Sequence, residues 1–317
     1  MLMESDKLTK VIEAAKMYYL LDYNQNEIAK KLGVSRPTVS RLLQQAKSEG
    51  IVQIKIIDST IDVEELSAQL EKTFKLNKAI VASIPHEDRN LVKEGLGEAA
   101  ADYLDEVVKD GDIIGVTWGT TLYHVGMKLK KKRVKDVKVV QLKGGVSHSE
   151  TNTYASEILH LFGNAYSTVP LYLPLPAIVD HVVVKQAMEA DRHIKGILEL
   201  GKKANIAVFT TGPIKTGSLL FQLGYFTEED LKQLDPHAVG DICSRFFDEH
   251  GCICNPSLNE RTLGLDLEDL KQKDYSILVA GGAHKVEGIF GAIKGGYVNT
   301  LITDPFTAQQ LLEKETS

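Results

Sequence analysis

The sequence predicts an α/β protein in which a small helix-turn-helix domain precedes a larger domain built on a doubly wound, mostly parallel sheet. Three observations predict this class. The length of 317 residues exceeds that of an average domain, short apolar runs alternate with helical patterns in the larger part, and the charge changes sign along the chain. We place the domain boundary after Ile57, where an apolar strand gives way to Asp58. Residues 1–57 then carry a net charge of +3 and residues 58–317 one of −9.

Composition and cysteine usage narrow the function classes. No apolar run approaches the roughly 20 residues that span a bilayer, and the N-terminus lacks the apolar core of a secretory signal, so we expect a cytoplasmic protein without a membrane role. The odd number of cysteines, Cys243, Cys252 and Cys254, favours free thiols. The Cys-x-Cys spacing near His250 differs from that of zinc sites, and we expect no metal.

The first segment has the signals of three short helices. A first helix is predicted to end near Leu21. Asn24 can cap a second helix, with Glu27 completing an approximate capping box. Gly33 permits a sharp turn, and Ser35 can cap a third helix. The first helix is indicated by apolar residues at three- to four-residue spacing: Leu8, Val11, Ile12, Ala15, Tyr18 and Tyr19.

The third helix has one apolar and one polar face. Val39, Leu42, Leu43 and Ala46 form the inner face, and polar side chains of the kind that read a major groove lie opposite. Any amphipathic three-helix cluster shows such spacing, but the order of side chains in IAKKLGVSRPTVSRLLQQAKSEG favours DNA binding. We expect base contacts from Ser40, Arg41 and Gln44, and phosphate or groove-edge contacts from Arg36, Thr38 and Lys47.

After this segment, Ile51–Ile57 is expected to form a wing-like strand or a sheet edge, and Asp58–Asp62 a linker. Six apolar runs then predict the strands of the larger domain: Ala79–Ala82, Ile113–Val116, Val137–Leu142, Ile206–Phe209, Ile277–Ala280 and Thr300–Thr303. Ligands of doubly wound sheets bind beyond the carboxyl ends of the strands. Three loops that follow predicted strands therefore draw attention.

Two of these loops suit a phosphate. Thr117–Thr121 offers backbone N–H groups, a helix dipole and hydroxyls, although threonine also commonly caps helices. In Gly281–Lys285 the glycines allow close backbone approach, and Lys285 supplies a positive charge.

The third loop, Lys143-Gly144-Gly145, places a lysine at the expected crevice. Most lysines simply extend their ammonium group to water. A desolvated amine with a lowered pKa could instead form a Schiff base with an aldehyde, and a 2-deoxy sugar with a free aldehyde form would be a suitable electrophile.

These motifs together resemble the SorC family of sugar-responsive regulators over nearly the whole chain. The resemblance rests on the helix-turn-helix and on GVTWGTT, VVQLKGGVSHS, VGDICSRFFDEHG and ILVAGGAHK. It implies a Rossmann-like effector domain similar to sugar-phosphate isomerases, and it implies no cofactor. It also implies that the protein forms homo-oligomers, either dimers or tetramers, on palindromic operator DNA. Within the family, SRPTVSRLL, WGTT and QLKGG are most similar to regulators of deoxyribonucleoside catabolism, which implies a repressor released by deoxyribose 5-phosphate.

The resemblance also implies an effector site. Many sugar-phosphate relatives have arginine in place of Lys143, and because arginine cannot form an imine, the lysine favours an aldehyde effector. Asp241 and Arg245 could contribute to the site or form a structural ion pair. The residues implied in effector binding are Gly119, Thr120, Thr121, Lys143, Gly144, Asp241, Arg245, Gly282 and Lys285.

Two rival classes stay open. The first is a sugar-phosphate enzyme with aldolase- or isomerase-like chemistry, for which the sequence places no acid or base close to Lys143 except His148. The second is a nucleic-acid-binding scaffold without an effector. Deoxyribose 1-phosphate or another sugar phosphate also remains an alternative ligand.

Overall fold

The computed structural model describes residues 2–52, 62–145, 151–215, 218–232 and 236–316, with side chains from residue 7 onwards. The chain divides into two compact units, Met1–Ile57 and Asp58–Ser317. Most of the expected wing strand and linker, and His148, lie outside the described residues, and residues 51 and 52 form a bend. Within the described part, no helix is both long enough and apolar enough to cross a membrane.

The first unit consists of three helices, α1 (Leu2–Tyr19), α2 (Gln25–Leu32) and α3 (Arg36–Ser48). The expected capping box is present, because Asn24 accepts from the backbone of Glu27 while the Glu27 side chain accepts from the backbone of Asn24. Gly33 ends α2 with a positive φ of 65°, and Ser35 caps α3. The small core of the unit is formed by Val11, Ala14, Ala15, Ile28, Val39, Leu42, Leu43 and Ala46.

The second unit is built on a six-stranded sheet in which every pair of neighbouring strands is parallel. The predicted α/β class is therefore confirmed. The strands run in the order β1-β8-β7-β4-β2-β3, and each coincides with a predicted apolar run to within two residues. They are β1 (Lys78–Val81), β2 (Ile113–Val116), β3 (Lys138–Gln141), β4 (Ile206–Phe209), β7 (Tyr275–Val279) and β8 (Thr300–Thr303).

Two apolar layers cover the faces of this sheet, because successive strand residues point to opposite sides. Val208 belongs to one buried cluster and Phe209 to the other. The first cluster is completed by α5 (Arg89–Val107), α6 (Thr120–Lys128) and α7 (Ala155–Ala165), and the second by α4 (Val63–Phe74), α14 (Val286–Lys294) and α15 (Pro305–Thr316). The remaining helices are α8 (Val182–Ala190), α9 (Arg192–Lys203), α10 (Leu219–Gln222), α11 (Glu228–Lys232), α12 (Pro256–Glu260) and α13 (Leu267–Leu270).

A two-stranded antiparallel hairpin, β5 (Gly240–Ile242) and β6 (Arg245–Phe247), was not predicted. Its two-residue turn consists of Cys243 and Ser244, which both have positive φ, 53° and 64°. Turns of this kind normally carry Asn-Gly or Asp-Gly, so the sequence gives no hairpin signal.

The strand order also creates a site. β2 lies between β3, which follows it in the chain, and β4, so the direction in which strands are added reverses at β2. In doubly wound sheets, ligands bind in the crevice that such a reversal leaves at the carboxyl ends of the strands.

Candidate functional site

The first candidate site is the exposed face of α3. Val39, Leu42, Leu43 and Ala46 are buried as predicted, while the opposite side of the helix is polar. A polar face of this kind has the chemistry that reads base edges in a major groove. The exposed residues among the predicted DNA contacts are Arg36, Ser40, Arg41, Gln44 and Lys47.

Thr38 differs from the other predicted contacts because it is half-buried. Its hydroxyl is hydrogen-bonded to the Ser35 hydroxyl at 2.9 Å, and its backbone N–H donates to the same Ser35 oxygen. Thr38 therefore helps to begin α3. At the other end of the helix, the Lys47 ammonium lies 5.9 Å from the centroid of the Tyr19 ring on α1.

The second candidate site is a cavity of about 640 Å³ lined by the loops that follow β2, β4 and β7. It therefore lies at the carboxyl edge of the sheet, where the strand order reverses. Its size is in the range of small-molecule sites. Of the predicted effector residues, those lining it are Gly119, Thr120, Thr121, Lys143, Asp241, Gly282 and Lys285.

Lys143 lies just beyond β3, and its backbone is held on both sides. It forms a bridge with Gly264, and its carbonyl accepts a hydrogen bond from the Gln141 side chain at 2.7 Å. The residue is only 6% exposed, so its side chain does not extend to bulk water. The snorkelling alternative therefore does not describe this lysine.

The surroundings of the Lys143 amine shift its pKa in opposite directions. Burial lowers its pKa, and the nearby Asp241 carboxyl opposes that effect. The amine also lies 3.6 Å from the centroid of the Trp118 ring, a position that favours the ammonium form. Because the burial effect is the largest, the neutral, nucleophilic amine is more accessible than in an ordinary lysine.

Gly144 does not line the cavity. Its carbonyl accepts a hydrogen bond from Trp118 Nε1 at 2.7 Å, and a Cβ at this position would overlap with the backbone carbonyl of Pro176. Gly144 thus allows two backbone segments to pack closely and fixes the indole against which Lys143 lies.

The beginning of α6 is one place where an anion could bind. Gly119 precedes the helix with a φ of 140°, and no side chain in the described part of the chain caps it. The first backbone N–H groups of a helix have no acceptor within it, and they carry the positive end of its dipole. Thr120 and the buried Thr121 add hydroxyls, so this turn has the donors that a phosphate needs.

Lys285 and Gly282 bring the loop after β7 to the same cavity. The Lys285 ammonium donates to Thr210 Oγ1 at 3.1 Å, and burial lowers its pKa to about 8. The N–H of Gly282 donates to Asp304 and to Thr307, both at 2.8 Å. Asp304, which follows β8, was not singled out from the sequence, although its side chain fixes this loop by accepting the Gly282 hydrogen bond.

Asp241 and Arg245 do not form the ion pair that was considered as an alternative. In the β5–β6 register, Asp241 faces Phe246 and Ile242 faces Arg245, so their side chains lie on opposite faces of the hairpin. Asp241 points towards the cavity and senses the charges of Lys143 and Lys285, and burial raises its pKa.

Arg245 lies outside the cavity. Its guanidinium, only 2% exposed, forms an ion pair with Asp266 at 2.7 Å and donates to the backbone carbonyls of Asn259, Gly264 and Leu265. These contacts tie the hairpin to the chain that follows it. Arg245 therefore stabilises the fold beside the cavity and does not line it.

The cavity also contains cations that the sequence analysis missed. Arg89 and Lys93 come from the first turns of α5 and line it together with His284. Burial and these charges, with those of Lys285 and Lys215, lower the pKa of His284 to about 4. The sequence signal for Arg89 and Lys93 was weak, because they follow a loop and belong to no recognisable binding motif. Thr211 also lines the cavity, and its buried hydroxyl has no hydrogen-bond partner within the described residues.

Comparison with known proteins agrees with this architecture. Residues 58–313 match the Sugar-bind family, described as a sugar-binding domain, and residues 5–68 match a Crp-like helix-turn-helix domain. The chain belongs to the Sugar-bind family. The combination of domains makes it a DNA-binding transcriptional regulator with a sugar-binding domain.

Individual relatives extend over the whole chain. The deoxyribonucleoside regulator of Bacillus subtilis is 51% identical over 310 residues, covering 98% of this chain and 99% of that protein. The sorbitol operon regulator of Klebsiella pneumoniae is 32% identical over 315 residues, covering 98% and 99%. The crystal structure of full-length SorC from the same organism has a TM-score of 0.73 at 29% identity, covering 96% of this chain and 98% of that one. The resemblance to the SorC family is thus confirmed.

Proposed function

We propose that this regulator is a repressor of deoxyribonucleoside catabolism genes that leaves its operator when deoxyribose 5-phosphate binds. The observation that carries the proposal is the buried Lys143 amine at the strand reversal, in a cavity that also offers phosphate donors. The similarity to a protein named deoxyribonucleoside regulator supports the choice of sugar. In this proposal the protein is a sensor and not an enzyme.

The two ends of the cavity match the two ends of this effector. The open-chain form has an aldehyde at C1, with which the Lys143 amine forms a Schiff base. Its phosphate binds to the turn Gly119–Thr121, with Lys285 as a charged partner and the backbone at Gly282 beside it. Asp241 completes the site near the amine.

The DNA half of the proposal assigns residues 1–57 to operator binding and residues 58–317 to effector binding and oligomerisation. Ser40, Arg41 and Gln44 read bases, while Arg36 and Lys47 contact phosphates, and Thr38 does so only at the helix edge. A homo-oligomer binds a palindromic operator. The effector shifts a two-state equilibrium of this oligomer, with a coupling of typically about 1–3 kcal/mol between the two ligands.

A titration of the operator complex with deoxyribose 5-phosphate and, separately, with deoxyribose 1-phosphate tests the proposal. Release by the 5-phosphate alone is expected, because the 1-phosphate has no free aldehyde. Borohydride reduction followed by mass spectrometry should find the adduct on Lys143. Lys143→Arg keeps the charge but cannot form an imine, so it should bind operator and resist release. Unchanged operator affinity at saturating 5-phosphate would refute the regulatory step.

A second candidate is an aldolase-like enzyme. The observation that favours it is that Asp241 and Lys143 line the same cavity, although the two are far apart in the sequence. An amine and an acid are the groups that such chemistry needs. Appreciable turnover of deoxyribose 5-phosphate would support the enzyme, whereas a bound adduct without turnover supports the sensor. A scaffold without an effector predicts no thermal shift with any sugar phosphate.

A further inference from the structure

Asp241 is fixed in the cavity by contacts of its backbone and of its carboxylate. Its backbone N–H donates to the carbonyl of Gly212 at 3.1 Å, and its carbonyl accepts from the N–H of Gly212 at 3.0 Å. One carboxylate oxygen accepts from the backbone N–H of Ser244 at 3.1 Å. The other lies against Gly212, where a Cβ would overlap with it. The carboxyl is thus fixed both by the loop that follows β4 and by its own hairpin.

The hairpin holds this position at an energetic cost. Cys243 and Ser244 adopt left-handed backbone conformations, which are unfavourable for residues other than glycine. This turn directs the Ser244 N–H to Asp241. Strained, fully buried turns persist where the surrounding structure holds them, and they are concentrated at functional sites.

Among the residues that the structure describes, three titratable groups act electrostatically on Asp241: Lys143, Lys285 and Cys243. Burial raises the pKa of Asp241, so the carboxyl accepts a proton more readily than an exposed aspartate. Burial also raises the pKa of Cys243 to about 11, which keeps that thiol protonated at neutral pH. Within the described residues, two groups act on the charge of Lys143, Asp241 and Cys243, and of these only Asp241 can alternate between acid and base.

We propose that Asp241 transfers protons between Lys143 and the effector during formation of the Schiff base. This inference rests on the proposed covalent binding of a sugar aldehyde. Lys143 is almost completely buried, so protons do not exchange easily with bulk water at the amine. The fixed Asp241 carboxyl, which lines the same cavity as the amine, takes over that exchange directly or through one water molecule.

The steps balance without any further reactant. The Lys143 ammonium first gives a proton to the Asp241 carboxylate, and the neutral amine attacks C1 of the aldehyde to form the C–N bond. The Asp241 carboxylic acid protonates the former aldehyde oxygen and becomes a carboxylate. This carboxylate then takes a proton from the nitrogen, which gives a neutral carbinolamine and restores the carboxylic acid. Asp241 then protonates the hydroxyl group, the C–O bond breaks, water leaves, and the nitrogen electron pair forms the C=N bond. The products are an iminium ion, a carboxylate and one water molecule.

Asp241→Asn in the full-length protein tests this role, because the amide keeps the shape of the side chain and cannot transfer the proton. Deoxyribose 5-phosphate is added, samples are quenched with borohydride at increasing times, and mass spectrometry gives the fraction of adduct. Adduct formation and its hydrolysis after dilution should both slow by about 100-fold or more, with a much smaller change in the final extent. If Asp241 were only structural, its replacement would lower the final fraction of adduct without slowing both rates equally. It would also weaken binding of 2-deoxyribitol 5-phosphate, which lacks the aldehyde.

A second variant keeps the test decisive if Asp241→Asn does not fold. Gly212→Ala places a methyl group against the carboxylate, displacing it while leaving it ionisable, and should also slow adduct formation. Wild-type rates in a folded variant of either kind would overturn the role of Asp241 and leave the covalent site intact. Absence of any adduct in the wild-type protein would instead overturn the covalent step of the proposed function, and this inference with it.

Discussion

The Lys143 ammonium lies 3.6 Å from the centroid of the Trp118 ring, and the same indole donates a hydrogen bond to the carbonyl of the next residue, Gly144. Trp118 is therefore fixed by the loop that carries the lysine. The ring stabilises the ammonium form, whereas burial favours the amine. The balance between burial on one side and the ring together with the Asp241 carboxyl on the other sets the pH at which Lys143 becomes a nucleophile.

Removing the aromatic face should shift this balance towards the amine. A cation–π contact contributes about 0.5–2 kcal/mol, and one pKa unit corresponds to about 1.4 kcal/mol. In Trp118→Leu we therefore expect the pH profile of adduct formation to move to lower pH by about 0.4–1.4 units. The profile is measured by borohydride trapping of deoxyribose 5-phosphate across the pH range.

Trp118→Phe is the matched control for that measurement. It keeps a ring face but loses the N–H donor to Gly144, so its profile should stay closer to that of the wild type. Both variants should unfold at lower temperature, because each leaves a buried carbonyl unpaired and a partly empty site. A profile that moves equally in both variants would show that the ring does not act on the charge of Lys143.

His284 predicts a pH dependence of stability. Burial and the neighbouring cations lower its pKa to about 4 in the folded protein, against 6.5 when unperturbed. Between these values the unfolded chain binds the proton and the folded chain does not, so this group makes stability rise with pH from about 4 to 6.5. After allowance for partial solvent screening, the loss at pH 5 relative to pH 7 is about 1 kcal/mol.

Urea unfolding of the wild type and His284→Asn at pH 5 and pH 7 measures this contribution. The variant should lose less stability than the wild type on going to pH 5. Inorganic phosphate should reduce the stability that the wild type loses between pH 7 and pH 5, because a bound anion beside His284 favours the protonated form of that residue. An equal loss in both proteins would contradict the assigned pKa.

Much of the fold followed from local patterns. The strands of the sheet are apolar runs, and Ile113–Val116, Ile206–Phe209 and Thr300–Thr303 were predicted with their exact bounds. The site followed partly, because residues just beyond such strands meet at one edge of a parallel sheet. This rule located Lys143 and Lys285, but it says nothing about side chains that arrive from other elements.

The rest depended on contacts between distant parts of the chain. The β5–β6 hairpin has a Cys243-Ser244 turn that lacks the usual glycine, so neither the hairpin nor the opposite directions of Asp241 and Arg245 could be predicted. Arg89 and Lys93 reach the cavity from the start of α5. Asp88 caps that helix, but a cap does not show where the helix packs, so the positions of the two cations could not be predicted.

Arg245 should prove to be structural. Arg245→Lys keeps one charge but loses the planar group that joins Asp266 to several backbone carbonyls. Because buried acceptors are left unpaired, we expect a loss of about 3 kcal/mol in the free energy of unfolding. In the folded fraction, the affinity for deoxyribose 5-phosphate should be unchanged in calorimetric titrations. A large loss of affinity with normal stability would return Arg245 to the effector site.

The exposed face of α3 leads to a prediction about DNA. A duplex selected from a random pool with the wild-type protein serves as the operator. Arg41→Ala should weaken binding to it by about 1–3 kcal/mol and relax the preference at one base position. Lys47→Ala should instead weaken the selected and a scrambled duplex alike and lower the slope of log affinity against log salt by about 1.

Lys10→Ala controls for the loss of a positive charge, because Lys10 is exposed on α1 and lies outside the predicted DNA contacts. It should change the affinity less than either variant and leave the base preference intact. Fluorescence anisotropy at several salt concentrations gives all three slopes. If Arg41→Ala altered only the slope, its side chain would contact phosphate and not a base. Base reading would then rest on Ser40 and Gln44, whose uncharged side chains make no comparable contribution to the salt dependence.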